Sequence, residues 1–146
     1  DEAKVTLLGV ADRPGVAASI FGPLSEAGIN VDMIVQNISE EGLTDMTFST
    51  SGDQVDLASS VLEKSRDAIG YRDLVTDRDV AKVSIVGIGM RSHTGVAQKM
   101  FSALAQEGVN IKVITTSEIK VSVLIDSKYL ELAVRALHDA FGLHES

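Results

Sequence analysis

Cysteine and tryptophan are absent, and aromatic residues make up only 4% of the 146 residues. Without cysteine there are no disulfides, no thiolate metal clusters and no thiol nucleophile. With so few rings the core has to be aliphatic, and the 45% hydrophobic content, mostly Val, Ile, Leu and Ala, is enough to build one. Positive charge is scarce as well: 13 Lys and Arg stand against 21 Asp and Glu, a formal charge of −8. That balance repels phosphate backbones, and no basic stripe with interleaved aromatics is present to stack bases, so nucleic acid is excluded as a partner. No apolar run approaches the roughly 18 residues of a membrane span. The opening "DEAKVTLLGV" lacks the basic n-region of a signal peptide. A soluble, cytoplasmic protein with no membrane partner is expected, and the lack of cysteine fits a reducing compartment. The chain opens on Asp1 rather than Met, as expected of a fragment or a processed form. This length suits one domain or two very small ones.

What is present is a repeat. Sliding residue 9 onto residue 89 gives nine identities over 26 positions: Gly9/Gly89, Gly15/Gly95, Val16/Val96, Ala17/Ala97, Phe21/Phe101, Leu24/Leu104, Gly28/Gly108, Asn30/Asn110 and Ile34/Ile114. With the glycines in phase, this is a duplicated unit. Each copy starts with an apolar β-type run, "KVTLLGV" or "KVSIVGIGM", followed by a polar loop. Apolar residues at helical spacing come next: Val16, Ile20, Phe21 and Leu24, then Val96, Met100, Phe101 and Leu104. Pro14 suits a first helical turn, with Asp12 or Arg13 near the cap, and Ser92 and Thr94 offer capping hydroxyls in the second copy. Gly28 and Gly108 fall where left-handed C-terminal caps are expected.

Strand-like "INVDMIVQNI" and "VNIKVITTS" follow, each leading to a strand with period-2 alternation. In the second copy Ile119, Val121, Val123 and Ile125 are expected on one face, with Lys120, Ser122 and Asp126 on the other. The turn "SEEGLT" makes the first copy five residues longer here. The helices "DQVDLASSVLEKSRDAI" and "SKYLELAVRALHDAF" close the copies, and "YRDLVTDRD" supplies a candidate fourth strand to the first. The order β-α-β-β-α occurs twice, which is the ferredoxin-like plan. Only "GLHES" remains after the last helix, so no fourth strand is visible for the second copy.

Reaction centres are hard to find. "GIGMRSHTG" has Ser92 where a dinucleotide fingerprint needs its third glycine, and no P-loop, G-x-S-x-G or H-E-x-x-H is present. His93, His138 and His144 are the only histidines, and six residues between the last two is poor ligand spacing. Glu40 and Glu41 read as a solvated turn, and Asp45 and Asp73 have no evident partner in the sequence. No catalytic residue, metal or cofactor is expected. The two polar loops differ from this background. Each puts backbone N–H groups at a helix amino terminus, beside a glycine that allows close approach, an arrangement that favours a carboxylate or phosphate. Asp12 adds an acceptor for an ammonium or hydroxyl, so the first loop suits a free amino acid, which carries both charges. The plainer reading is that Asp12, Ser92 and Thr94 cap their helices, and that Asn30 and Asn110 serve turn chemistry. The residues alone give tandem small α/β modules and leave ligand binding open.

The stretches "GVADRPGVAASIF", "AGINVDMIVQNIS", "VSIVGIGMRSHTGVAQKMF" and "VNIKVITTSEIKVSVLI" resemble the ACT domain, and more narrowly the tandem ACT region of aspartate kinases. The likeness covers nearly the whole chain and is most specific in "SHTGVA" and "TSEIKVSVLI". It implies an α+β fold of two tandem ferredoxin-like βαββα(β) domains, 1–79 and 80–146, pairing edge to edge in a homodimer. The lysine- and glycine-rich motif of the catalytic domain is missing. The resemblance is thus to a non-catalytic regulatory β subunit, or an excised regulatory half. Its implied partner is the catalytic α subunit, which phosphorylates aspartate on the route to lysine, threonine and methionine. The implied effectors are threonine, lysine or both, acting by feedback inhibition, with no cofactor and no metal.

By the same resemblance, Asp12, Gly15, Val16 and Ala17 form the loop of one site, Gln36 reads the effector side chain, and Asn110 and Ile111 of the partner close the seam. The second site uses Ser92, His93, Gly95, Val96 and Ala97, closed by Asn30, Val31 and Asp32, with Ser117 and Glu118 lining it. Asp12 becomes Ser92 and Gln36 becomes Thr116, so the sites need not share a ligand. The alternatives are an ACT regulator of another amino-acid enzyme, or a dimerisation module without ligand.

Overall fold

A computed structural model describes residues 1–38, 41–87 and 93–142, the side chain of His93 excepted. The chain divides into two compact units, Asp1–Arg78 and Asp79–Ser146. The first holds β1 (Glu2–Ala11), α1 (Val16–Glu26), β2 (Val31–Ile38), β3 (Leu43–Ser51), α2 (Val55–Lys64) and α3 (Arg66–Ile69). β4 (Asp73–Val86) crosses the division. The second continues with α4 (His93–Gln106), β5 (Ile111–Thr116), β6 (Lys120–Asp126), a 3-10 turn at Ser127–Tyr129 and α5 (Leu130–Ala140). Strand order is β2-β3-β1-β4 in unit 1 and β4-β6-β5 in unit 2. β2 and β5 are therefore the outer strands of their units.

β1 shows how the pattern makes the strand. Ala3, Val5 and Leu7 alternate into the core, each fully buried. Strict alternation would then turn Gly9 inward and Val10 outward. A bulge intervenes: Leu7 pairs with Met46 but Val10 pairs with Thr44, so one extra residue lies on β1. Gly9 takes φ 66, a conformation costly for residues with a Cβ, and its N–H donates to Asp45 Oδ1 at 3.0 Å. Val10 is thereby returned to the core. Asp45 thus has a partner that the sequence did not disclose. Asp73 lies 3.7 Å from Arg72, a solvated pair.

The helices close over one aliphatic cluster per unit. In unit 1, Ile20 and Leu24 of α1 and Val55, Ala58 and Leu62 of α2 meet Val5, Leu7, Met46 and Phe48. In unit 2, Met100, Leu104, Ala133 and Leu137 meet Val83, Val121, Val123 and Ile125. α1 continues through Pro23 and ends in a left-handed Gly28, and Gly108 ends α4 likewise, as the spacing predicts.

Several elements differ from the sequence reading. Pro14 is not in the first helical turn: it shares a turn with Gly15, and α1 starts at Val16. Thr94 lies inside α4 rather than capping it. The helix expected over "DQVDLASSVLEKSRDAI" ends at Lys64 and resumes as α3, where the Ser65 hydroxyl donates to the Val61 carbonyl at 3.0 Å and competes with the backbone. "YRDLVTDRD" and "KVSIVG" run together as β4, because 73–86 contains no Gly or Pro to interrupt it. Ile119 is exposed and precedes β6, while Ser122 is buried and bonded to Ser84 Oγ at 2.7 Å. With Leu124 also buried, both faces of that strand are covered, and the simple alternation fails.

Candidate functional site

In unit 1, β1 and β2 both run antiparallel to β3, so their carboxyl ends lie at one end of the sheet. The loop Asp12–Gly15 and the exposed Gln36 of β2, which pairs with Met46 of β3, both lie toward that end. Gly15 is the N-cap of α1 with φ 87, and no side chain caps the helix. The reading of Asp12 as a plain helix cap therefore fails. Its carboxylate is exposed, and its N–H donates to Gly42 O at 3.0 Å. A Cβ added at Gly15 would meet nothing within 4 Å, so the approach to the helix end is open. Val16 is buried in the core cluster and offers the loop only its backbone, whereas Ala17 is exposed.

Arg13, which the sequence placed near the cap, ties the loop down instead, since the cap position is Gly15. Its Nη2 donates to Ala68 O at 3.1 Å and Ile69 O at 3.4 Å, the carbonyls that end α3. A cation suits a helix carboxyl end. The loop is thus held from two sides while the Asp12 carboxylate stays in solvent.

Asn30, Val31 and Asp32 occupy the opposite end of unit 1. Beside them lies a pocket of about 350 Å³ lined by Glu2, Asn30, Val31, Asp32, Thr50 and Ser51. The register slips between Val31 and Ile34, a bulge that frees the Met33 N–H, which donates to Ser49 Oγ at 3.0 Å. Ser49, Thr50 and Gln54 were not singled out from the sequence. Three consecutive polar residues, Ser49, Thr50 and Ser51, after Phe48 were the available signal.

Unit 2 repeats the division. β4 and β5 both run antiparallel to β6, so the amino end of α4 and the Ser117–Glu118 turn share one end. That turn is closed by Ser117 N–H donating to Lys120 O at 2.8 Å. Gly95 lies within α4, unlike the left-handed Gly15 before α1. Val96 and Ala97 pack half-buried against the core. Asn110 is exposed and Ile111 half-buried at the other end of β5. Ser92 lies outside the described residues, as does the side chain of His93. Among the described residues no group of three or more His, Asp or Glu could hold a metal, and no helix is long and apolar enough to cross a membrane.

Two family models, both described as the ACT domain, match residues 4–67 and 83–141. The aspartate kinase of Pseudomonas fluorescens is 59% identical over 143 residues, covering 98% of this chain and 35% of its own length. The chain thus spans about a third of the curated relatives it matches. Among solved structures, that of aspartokinase alpha and beta subunits is 50% identical with a TM-score of 0.90, covering 97% of this chain and 93% of that one. The ligand-free regulatory subunit of aspartate kinase from Thermus thermophilus is 43% identical, also with a TM-score of 0.90 and the same coverage. Tandem ACT units, an open helix end beside an acid and these likenesses agree: the chain belongs to the aspartate kinase family, as its regulatory ACT-domain region.

Proposed function

We propose that this chain senses an end-product amino acid, threonine with lysine as the second candidate, and transmits feedback inhibition to a catalytic aspartate kinase subunit in the cytoplasm. The observation that carries this reading is the uncapped amino end of α1, with left-handed Gly15 and the solvent-facing Asp12 beside it. Backbone N–H groups there suit an α-carboxylate, and Asp12 suits the ammonium or hydroxyl of the same molecule. Gln36 stands at the same end of the sheet to read the side chain. Each ACT domain, 1–79 and 80–146, supplies one loop and one strand end. Asn110 and Ile111 of a second protomer close the first site, and Asn30, Val31 and Asp32 close the one built on Ser92, His93, Gly95, Val96 and Ala97, with Ser117 and Glu118 beside it.

Edge-to-edge pairing in a homodimer is supported by Ile34 on β2 and its repeat counterpart Ile114 on β5, which are 52% and 45% exposed on the outer strands. An effector held between two protomers stabilises the dimer as it binds. At 100 times its dissociation constant the bound state gains about 2.7 kcal/mol. Typical coupling of about 1–3 kcal/mol is then enough for a 5- to 150-fold change in a linked equilibrium. Calorimetric titration with threonine and then lysine, with sedimentation on the same samples, tests this. Binding with tightened association is expected. Silence to both, with an unchanged association state, would overturn the sensor and leave a dimerisation module or a regulator of another amino-acid enzyme.

A further inference from the structure

Asn30 has both of its peptide groups held by side chains. Its N–H donates to Gln54 Oε1 at 3.0 Å, and its carbonyl accepts from Thr50 Oγ1 at 2.6 Å. Gln54 Nε2 reaches the Gly28 carbonyl at 3.2 Å, so one amide spans the turn into β2. Ser49 completes the set at Met33. Gln54 is the N-cap residue of α2, yet its side chain makes no cap bond to its own helix and is committed to this turn. Thr50 is 1% exposed and is among the residues lining the 350 Å³ pocket. The stretch from Gly28 to Met33 is thus a ribbon pinned at four points.

In unit 2 the positions that match Ser49 and Thr50 carry no such side chains. Val31 pairs with Thr50 and Ile34 with Phe48, while Ile111 pairs with Ile125 and Ile114 with Val123. Strand register therefore matches Ser49 and Thr50 to Leu124 and Ile125, which have no side-chain hydrogen-bonding groups. Gln54 matches Tyr129, whose ring packs against the unit 2 core. The residues at the turn itself, Asn30 and Asn110, are the same.

We propose that Thr50 and Gln54 are positioning residues that hold the Asn30–Asp32 ribbon in its ligand-receiving shape before binding, a side-chain support that the positions matching Thr50 and Gln54 do not give the Asn110–Ile111 ribbon. This rests on the reading that Asn30–Asp32 closes an amino-acid site. Preorganisation removes an ordering cost from binding, so the two classes of site differ in affinity although their turns are alike.

The test uses Thr50→Val, Thr50→Ser and Gln54→Ala, each titrated with threonine and lysine by calorimetry, with amide exchange followed at Asn30. Thr50→Val and Gln54→Ala should speed exchange at Asn30 and weaken the amino acid held by this ribbon by on the order of three- to tenfold. Thr50→Ser, which keeps the hydroxyl, should retain wild-type affinity, and an amino acid held elsewhere should be unaffected. Affinities within twofold of wild type in both disrupting variants would overturn the proposal. So would equal losses for both amino acids that follow the melting temperature and are not rescued by Thr50→Ser. If the wild-type chain takes up neither amino acid, the sensor reading itself fails. The pinning is then judged by exchange alone, and unchanged exchange at Asn30 in Gln54→Ala overturns it.

Discussion

Asp12 and Gly9 lie three positions apart in the chain and serve different ends. Asp12 is exposed and bears no load in the core, while Gly9 sets the bulge that returns Val10 to it. Asp12→Ala is expected to weaken effector binding by about tenfold or more, since a charge-assisted hydrogen bond contributes about 1.5–3 kcal/mol. Its melting temperature should stay within a degree or two of wild type, and calorimetry with a thermal melt checks both. Gly9→Ala should do the reverse at the level of folding. At φ 66 an added Cβ is strained, and it would lie 3.1 Å from the Arg72 Cβ. A loss of about 1–2 kcal/mol and a melting temperature lower by several degrees are expected.

Among the elements, the α2–α3 connection is held by more than its helices. Tyr71, 6% exposed, donates its hydroxyl to the Leu62 carbonyl at 3.1 Å, and the Arg66 guanidinium sits 5.0 Å above its ring. Burial pushes the phenol above its ordinary value of 10.0, with Arg66 pulling it down and Glu63 adding to the rise. In the unfolded chain the phenol therefore loses its proton first. The stability from this group is complete below the unfolded value and is lost as pH rises through the folded one. Melts from neutral pH to above pH 10 should show that loss in the wild type and less of it in Tyr71→Phe. At neutral pH the variant should be less stable by about 1 kcal/mol, the net worth of one hydrogen bond. Leu62→Ala, at a fully buried position of α2, should cost about 2–5 kcal/mol in the same assay.

For the whole molecule the testable feature is association. Ile34→Lys and Ile114→Lys place charge on the outer strands without entering either core cluster. Each should lower dimer stability in sedimentation equilibrium while leaving the melting of the isolated chain nearly unchanged. Loss of folding instead would mean that these positions serve the units themselves. The duplicated plan was readable at this scale because Gly15/Gly95 and Gly28/Gly108 recur in phase. The difference between the copies was less so: Gly15 is left-handed before its helix, while Gly95 is inside one. Sequence identity at a position does not ensure the same backbone when the neighbours, Pro14 and Thr94, differ.

Element order, the helix stops at Gly28 and Gly108, and the aliphatic faces of α1 and α4 were determined by the sequence itself, because periodicity and glycine conformation are local properties. The loop with Asp12 and Gly15 was legible for the same reason. Tertiary structure alone decided that Ser122 and Leu124 are both buried, since what covers a second sheet face is not written in the strand. It alone also chose the partners of Asn30: Gln54 lies 24 residues away and Thr50 lies 20 away. Such contacts exist only once α1, β2, β3 and α2 have closed together, so no pattern of neighbours in the chain announces them.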